Sequence, residues 1–286
     1  MATLRNPKLQ GTNIFDCIPQ AGKCPNNCNQ CFFNRPDAFF TNINEPHVPS
    51  VDEVGDDGIV RVNSGHDSNI QKQLVLQTTE CFKRKFFNTS IPDFDFPAPV
   101  VFTANRNEES PPYTPNQLRG QFKYFDRLMF VRLKASPTNF QMVRDGVERW
   151  NDMHIPVVIT FMRYYDCEPL IKTDIWDNDH EAVLTLEEFA AQFGESPYLF
   201  KKHISNTYWC PSPMFIRMYM RGLGAYYRKL LFTCGSFTSS FCKDCMNCVG
   251  FYHIAVNRME MHKTDPNYHR VLPSICPRPR KRICKS

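Results

Sequence analysis

Cys24, Cys28 and Cys31 stand at x3 and x2 spacing in the stretch Cys24-Pro-Asn-Asn-Cys28-Asn-Gln-Cys31-Phe-Phe. Three cysteines so close in sequence cannot all point into one apolar core, so they converge on something. Thiolates are soft ligands that suit zinc, copper(I) or iron–sulfur clusters, and a tight loop brings three of them around one centre. A cubane cluster normally takes four thiolates, and no fourth cysteine stands beside the loop, so a cluster here would keep one iron open to a non-protein ligand. The competing arrangement is a zinc knuckle completed by Cys17 or by a distant pair. A second group, Cys234, Cys242, Cys245 and Cys248, supplies four thiolates within fifteen residues. Four ligands close a coordination sphere, either as a fully ligated 4Fe–4S cluster or as tetrahedral structural zinc. Cys276 and Cys284 are further thiols near the end of the chain.

The elements that must position these groups follow from periodicity. Short β-branched runs alternate with helical patterns, the mark of βα units and a parallel sheet. Strands are expected at Thr12–Ile18, Gly58–Asn63, Pro99–Ala104, Leu128–Lys134, Pro156–Met162 and Lys229–Thr233. Helical patterns begin at Pro36 and cover Asn69–Phe82, Asn116–Phe122, Asn139–Asn151 and Pro213–Tyr227, with a loop over Glu45–Asp57. The unit from Leu128 to Met162 is a strand, a helix with Phe140, Val143, Val147 and Trp150 on one face, and a second strand. Such a crossover is right-handed and its strands are parallel. The stretch from Tyr164 to Cys210 is an insertion, with one helix signalled by the capping box Thr185-Leu-Glu-Glu188 and closed by Gly194. Six parallel strands with intervening helices predict an α/β fold, a partial (βα)6 barrel over residues 1–233. A small Cys-rich extension with a basic tail is expected over 234–286. Ligands of parallel α/β sheets lie at the carboxyl ends of the strands.

At 286 residues, with thirteen cysteines, the chain is too long to need a disulfide scaffold. It opens Met-Ala-Thr-Leu-Arg-Asn-Pro without an apolar targeting segment and has no long apolar span, so the expectation is a soluble cytoplasmic protein with no membrane partner. The formal charge of +5 is modest, and much of it sits in Pro277-Arg-Pro-Arg-Lys-Arg282, which reads as a solvated end rather than a nucleic-acid site. A zinc-stabilised nucleic-acid-binding protein and a two-cluster electron carrier remain the rival classes. The first would be colourless and salt-sensitive in binding, and the second has no use for so large a βα framework.

The Cys24–Cys31 loop resembles the signature loop of the radical S-adenosylmethionine (radical SAM) superfamily. In that superfamily the residue before the last cysteine is usually aromatic and lies beside the adenine; here it is Gln30, and Phe32 and Phe33 follow the motif. The resemblance implies a partial barrel, a 4Fe–4S cluster with an open site, and SAM bound through its amine and carboxylate. It also implies reductive cleavage of SAM to a 5′-deoxyadenosyl radical that abstracts hydrogen from substrate. The turn Asn63-Ser64-Gly65-His66-Asp67-Ser68 occupies the place of the family's Gly-Gly-Glu type motif, which implies Ser64, Gly65 and Asp67 near the methionyl amine. Lys134, Ser136 and Arg163, at later strand ends, are implied to meet the ribose and carboxylate of SAM. The quartet Cys234, Cys242, Cys245 and Cys248 resembles the auxiliary clusters of superfamily members with C-terminal extensions. An electron donor such as flavodoxin or ferredoxin, and a small-molecule or peptide substrate, complete the expectation.

Overall fold

The computed structural model describes residues 6–28, 31, 44–136, 138–163, 200–202, 209–225, 228–236, 239 and 241–264. The helix expected from Pro36, the capping-box helix at Thr185, the residues Gln30, Phe32 and Phe33, and the basic tail with Cys276 and Cys284 lie outside the described residues.

Short runs rich in Val, Ile and Phe pair into one sheet. Its strands are β1 (Ile14–Cys17), β2 (Ile59–Val62), β3 (Lys85–Thr89), β4 (Val100–Thr103), β5 (Leu128–Ala135), β6 (Val157–Phe161) and β9 (Leu231–Thr233). They lie side by side in chain order, and every neighbouring pair is parallel. Two further strands, β7 (Phe200–Lys202) and β8 (Trp209–Pro211), form a separate antiparallel pair. An order that never reverses sends right-handed crossovers back over the same face each time. That face carries Val60, Val62, Phe87, Phe102, Val131, Leu133 and Ile159. They are buried with Val75 of α2 (Lys72–Thr79), Val143, Val147 and Trp150 of α3 (Phe140–Asp152), and Phe215 and Tyr219 of α4 (Pro213–Gly222). On α3 these apolar positions recur at the helical period, and Trp150 Nε1 donates to the Tyr113 carbonyl at 2.9 Å, so the indole is buried with its donor satisfied. Ser212 caps α4 by accepting from the Phe215 N–H at 3.1 Å, with Pro213 following it in the first turn.

The opposite face is layered. Ile14, Ile59, Phe86, Val101, Phe130 and Val158 make an apolar layer that buries Phe251, Tyr252 and Ala255 of α6 (Asn247–Thr264), with Phe232 packed against it. Arg258 of α6 fixes this packing by donating from Nε to the Asp126 carbonyl at 2.7 Å and from Nη2 to the Leu128 carbonyl. Side chains in a strand alternate between faces, so the inward residue two places on in each strand forms the next layer: Asp16, Arg61, Asn88, Thr103, Arg132, Thr160 and Cys234. Residues 242–264 therefore share a core with the sheet instead of projecting from it. Ile14, Arg61, Phe130, Arg132, Val158 and Cys234 line one small cavity together with Cys242, Cys245 and Cys248. Residues of strands far apart in the order meet there, so the sheet is curled, yet β1 and β9 do not pair with each other and it is not closed.

The expected count of six strands is corrected to seven. The added strand is β3, Lys85-Phe-Phe-Asn-Thr89, which follows α2 after five residues and is joined to β4 without a helix. In that connection Phe94 and Phe96 take the place of helix side chains in the outer core. A pattern search for strand–helix alternation passes over a unit that lacks its helix. The loop expected over Glu45–Asp57 also contains a short helix, α1 (Val51–Val54), capped by Ser50, and the helix expected from Asn116 is a 3-10 element over Pro115–Arg127.

Candidate metal and cofactor site

β1 runs directly into the first cysteine loop, and buried polar side chains pin that loop to the turn after β2. Gln20 Nε2 donates to the carbonyls of Asp67 at 3.0 Å and Ile70 at 2.8 Å. Asn26, between Cys24 and Cys28, donates to Asp67 Oδ2 at 3.0 Å and to Ser90 Oγ at 3.2 Å. Asp67, only 2% exposed, also accepts from Ser90 N at 2.7 Å, Ser90 Oγ at 2.8 Å, Thr89 Oγ1 at 2.7 Å and Asn69 N at 3.0 Å. One carboxylate thus ties the cysteine loop to the ends of β2 and β3.

Cys24 is buried, and Cys28 and Cys31 are half-buried. Burial pushes the Cys24 thiol up to about 11, with Asp67, Cys28 and Cys31 adding to the effect against a backbone hydrogen bond at Asn26. The three thiols therefore lie within electrostatic reach of one another. Burial lowers the pKa of Lys134 at the end of β5, and the strongest opposing influences are Cys28 and Cys31, which puts this cation beside the loop. Its Nζ donates to the Arg106 carbonyl. Cys17 is fully buried in the outer core, and burial pushes its thiol up.

The other expected residues have separate local partners. Ser64 Oγ donates to Asp16 Oδ1 at 2.9 Å, and Gly65 is buried in the same turn. Ser136 is buried at the start of α3, where its N–H reaches Asn139 Oδ1 at 2.9 Å and its Oγ lies 3.1 Å from Thr138 Oγ1. Arg163 follows β6 and is half-buried.

At the quartet, Cys234 follows β9 and donates its N–H to the Ile159 carbonyl at 2.8 Å. Cys242 and Cys245 open and close the four-residue helix α5, and Cys248 lies in the first turn of α6. Burial pushes Cys242 up to about 11 and Cys248 up to about 12, and raises Cys245 as well, while the cations Arg61 and Arg132 pull against that on Cys248.

The chain matches no protein family, no curated protein and no solved structure. The reading therefore rests on geometry and donor chemistry. Among the described residues no three Cys, His or carboxylate groups are gathered closely enough to hold a single ion as they stand. One feature of the inner layer fits an anionic centre: four thiols share one cavity with two guanidinium groups. Asp16, Arg61, Asn88, Arg132 and Thr160 were not singled out by the cysteine motifs. The available signal was a charged residue inside an otherwise apolar strand, as in Ile-Val-Arg61-Val and Phe-Val-Arg132-Leu-Lys134.

Proposed function

We propose that the chain is a radical SAM enzyme, with a 4Fe–4S cluster on Cys24, Cys28 and Cys31 and a second metal centre on Cys234, Cys242, Cys245 and Cys248. What supports the reading is a Cys24, Cys28 and Cys31 loop that follows β1 of a curled parallel sheet and is tied by Asn26 and Gln20 to the turn after β2. Strands in unbroken chain order, curled but open, are what a partial barrel of this kind requires. When bound, the cluster would supply an electron to the SAM sulfonium, giving methionine and a 5′-deoxyadenosyl radical that takes hydrogen from substrate. The protein's own residues bind and orient. Lys134 faces the loop with a charge suited to the methionyl carboxylate. Asp67, occupied by five protein donors, holds the loop in place, and Gln20 braces the same turn. The apolar layer and α6 keep water out from below.

At the quartet, iron and zinc both give a thiolate-ligated centre of double negative charge, so charge alone does not choose between them. Anaerobic reconstitution with iron and sulfide, followed by SAM and dithionite, tests the whole reading. The expected result is 5′-deoxyadenosine from the wild type and none from a protein with Cys24, Cys28 and Cys31 all changed to Ala. Equal production by the two proteins would overturn it. Iron counting then separates about eight irons per chain from about four irons with one zinc.

A further inference from the structure

Two arginines line the four-cysteine cavity, and they are not equivalent. Arg61 is paired: its Nε and Nη2 each lie 2.8 Å from Asp16 Oδ1, and the Asp16 carboxylate outweighs the effect of burial to hold the guanidinium pKa above its ordinary value. Arg132 is not. Its side chain leaves the middle of β5, passes over the Phe130 ring at 5.9 Å, and donates to Asn88 Oδ1 at 3.4 Å. Among the described residues it has no carboxylate partner. Burial lowers its pKa, and the influences working against that are the thiols of Cys234, Cys248 and Cys242.

Arg132 is half-buried, and a guanidinium partly withdrawn from water without a counter-charge is costly, so an anion supplied beside it offsets that cost. The cavity measures about 30 Å3, far below the roughly 300 Å3 at which small-molecule pockets begin. The thiols themselves line this space, so a centre that they ligate lies beside the Arg132 guanidinium. Loading a divalent metal on four thiolates, or forming an all-thiolate 4Fe–4S cluster in its oxidised state, places two negative charges in that space. We propose that Arg132 is the counter-cation of the quartet centre, a positioning residue whose charge the rest of the fold leaves unmatched for that purpose. Arg61 also acts on Cys242 and Cys248, but its charge is already matched by Asp16, so the pair brings no net charge to the centre. The inference rests on the reading of the quartet as a metal centre, and holds for iron or zinc alike.

The test uses the full chain with Cys24, Cys28 and Cys31 changed to Ala, so that cobalt(II) added anaerobically reports the quartet through its thiolate charge-transfer absorption. In this background Arg132→Met should weaken cobalt(II) binding by about tenfold or more, because a buried charge pair is broken. The same substitution should raise the melting temperature of the metal-free protein, since it removes an unmatched, half-buried charge. A merely structural arginine predicts the reverse sign in the metal-free protein. Arg132→Lys should recover much of the affinity, and the neutral double change Asp16→Asn with Arg61→Gln should shift it by no more than about threefold. With iron reconstituted in place of cobalt, the Arg132→Met cluster should reduce at a more negative potential. If the parent protein takes up no cobalt, the quartet reading falls and the inference with it. If the parent binds cobalt but Arg132→Met binds it equally well, or lowers the melting temperature of the metal-free protein, the role of Arg132 alone is overturned.

Discussion

Asn26 donates its side-chain amide to Asp67 Oδ2 at 3.0 Å, joining a residue between two cysteines to a carboxylate after β2. The sequence places Asp67 where a SAM amine is expected, but its oxygens already receive Asn26, Ser90, Thr89 and Asn69. Asp67→Asn sets an amide donor against those donors. Unfolding stability should fall by about 1.5–3 kcal/mol, the range for a hydrogen bond to a charged group. Cluster occupancy at Cys24, Cys28 and Cys31 should fall with it. Denaturant titration and iron content measure the two effects. A variant with full cluster and stability that loses only SAM binding would return Asp67 to the ligand.

Neighbouring His66 makes the same turn sensitive to acid. Burial lowers its pKa from 6.5, partly opposed by Asp67, and its Nδ1 receives the Asp67 N–H at 3.0 Å, which requires that nitrogen unprotonated. Between the lowered value and the ordinary one, the unfolded chain binds more protons than the folded chain, so stability rises with pH in that window. The contribution is fully present above about pH 6.5 and is lost as pH falls below it. Melting temperatures measured from neutral to mildly acidic pH should show this slope in the wild type and a flatter one in His66→Gln. Parallel profiles would show that the ring carries no such linkage.

Much of the frame was legible because strand and helix periods are local properties. The unit from β5 through α3 to β6 follows its apolar pattern almost residue by residue. β3 was hidden because Phe86 and Phe87 follow the charged run Lys83-Arg84-Lys85 and the strand lacks a following helix. α6 was hidden because its first turns carry Cys248 and Gly250, which direct attention to ligation, while the apolar residues that plug the sheet come later. The cysteine groups were readable from spacing, but the polar layer was not: Asp16 and Arg132 lie on strands far apart in the sheet, and only its curl brings their layer to the quartet.

Arg258 gives a direct measure of how firmly the C-terminal helix is seated. Its guanidinium serves two carbonyls at the start of β5, Asp126 and Leu128, and is itself 5% exposed. Arg258→Ala removes both contacts and leaves the carbonyls without that donor, which should cost about 3 kcal/mol or more. Because Phe251 and Tyr252 of the same helix pack beneath the quartet, metal affinity there should weaken as well. Chemical denaturation, with and without bound cobalt, tests both. A variant as stable as the wild type would mean that the apolar layer alone seats the helix.

Lys134 is the residue on which SAM binding should depend most directly. Burial disfavours its charge, the thiols of Cys28 and Cys31 favour it, and its Nζ donates to the carbonyl of Arg106. An ammonium with one such bond keeps further donors, and a carboxylate is the partner that uses them best. Lys134→Gln keeps much of the length and a donor but removes the charge, so SAM affinity should fall by about one to two decades, the equivalent of about 1.5–3 kcal/mol. Lys134→Arg should retain part of it. Ser136→Ala is the comparison, because Ser136 is committed to Asn139 and Thr138 at the start of α3, so stability should change slightly and SAM affinity not at all. Equilibrium dialysis of SAM against reconstituted protein, with cluster content followed by absorbance, separates the outcomes. Undiminished SAM binding in Lys134→Gln at full cluster content would remove Lys134 from the site.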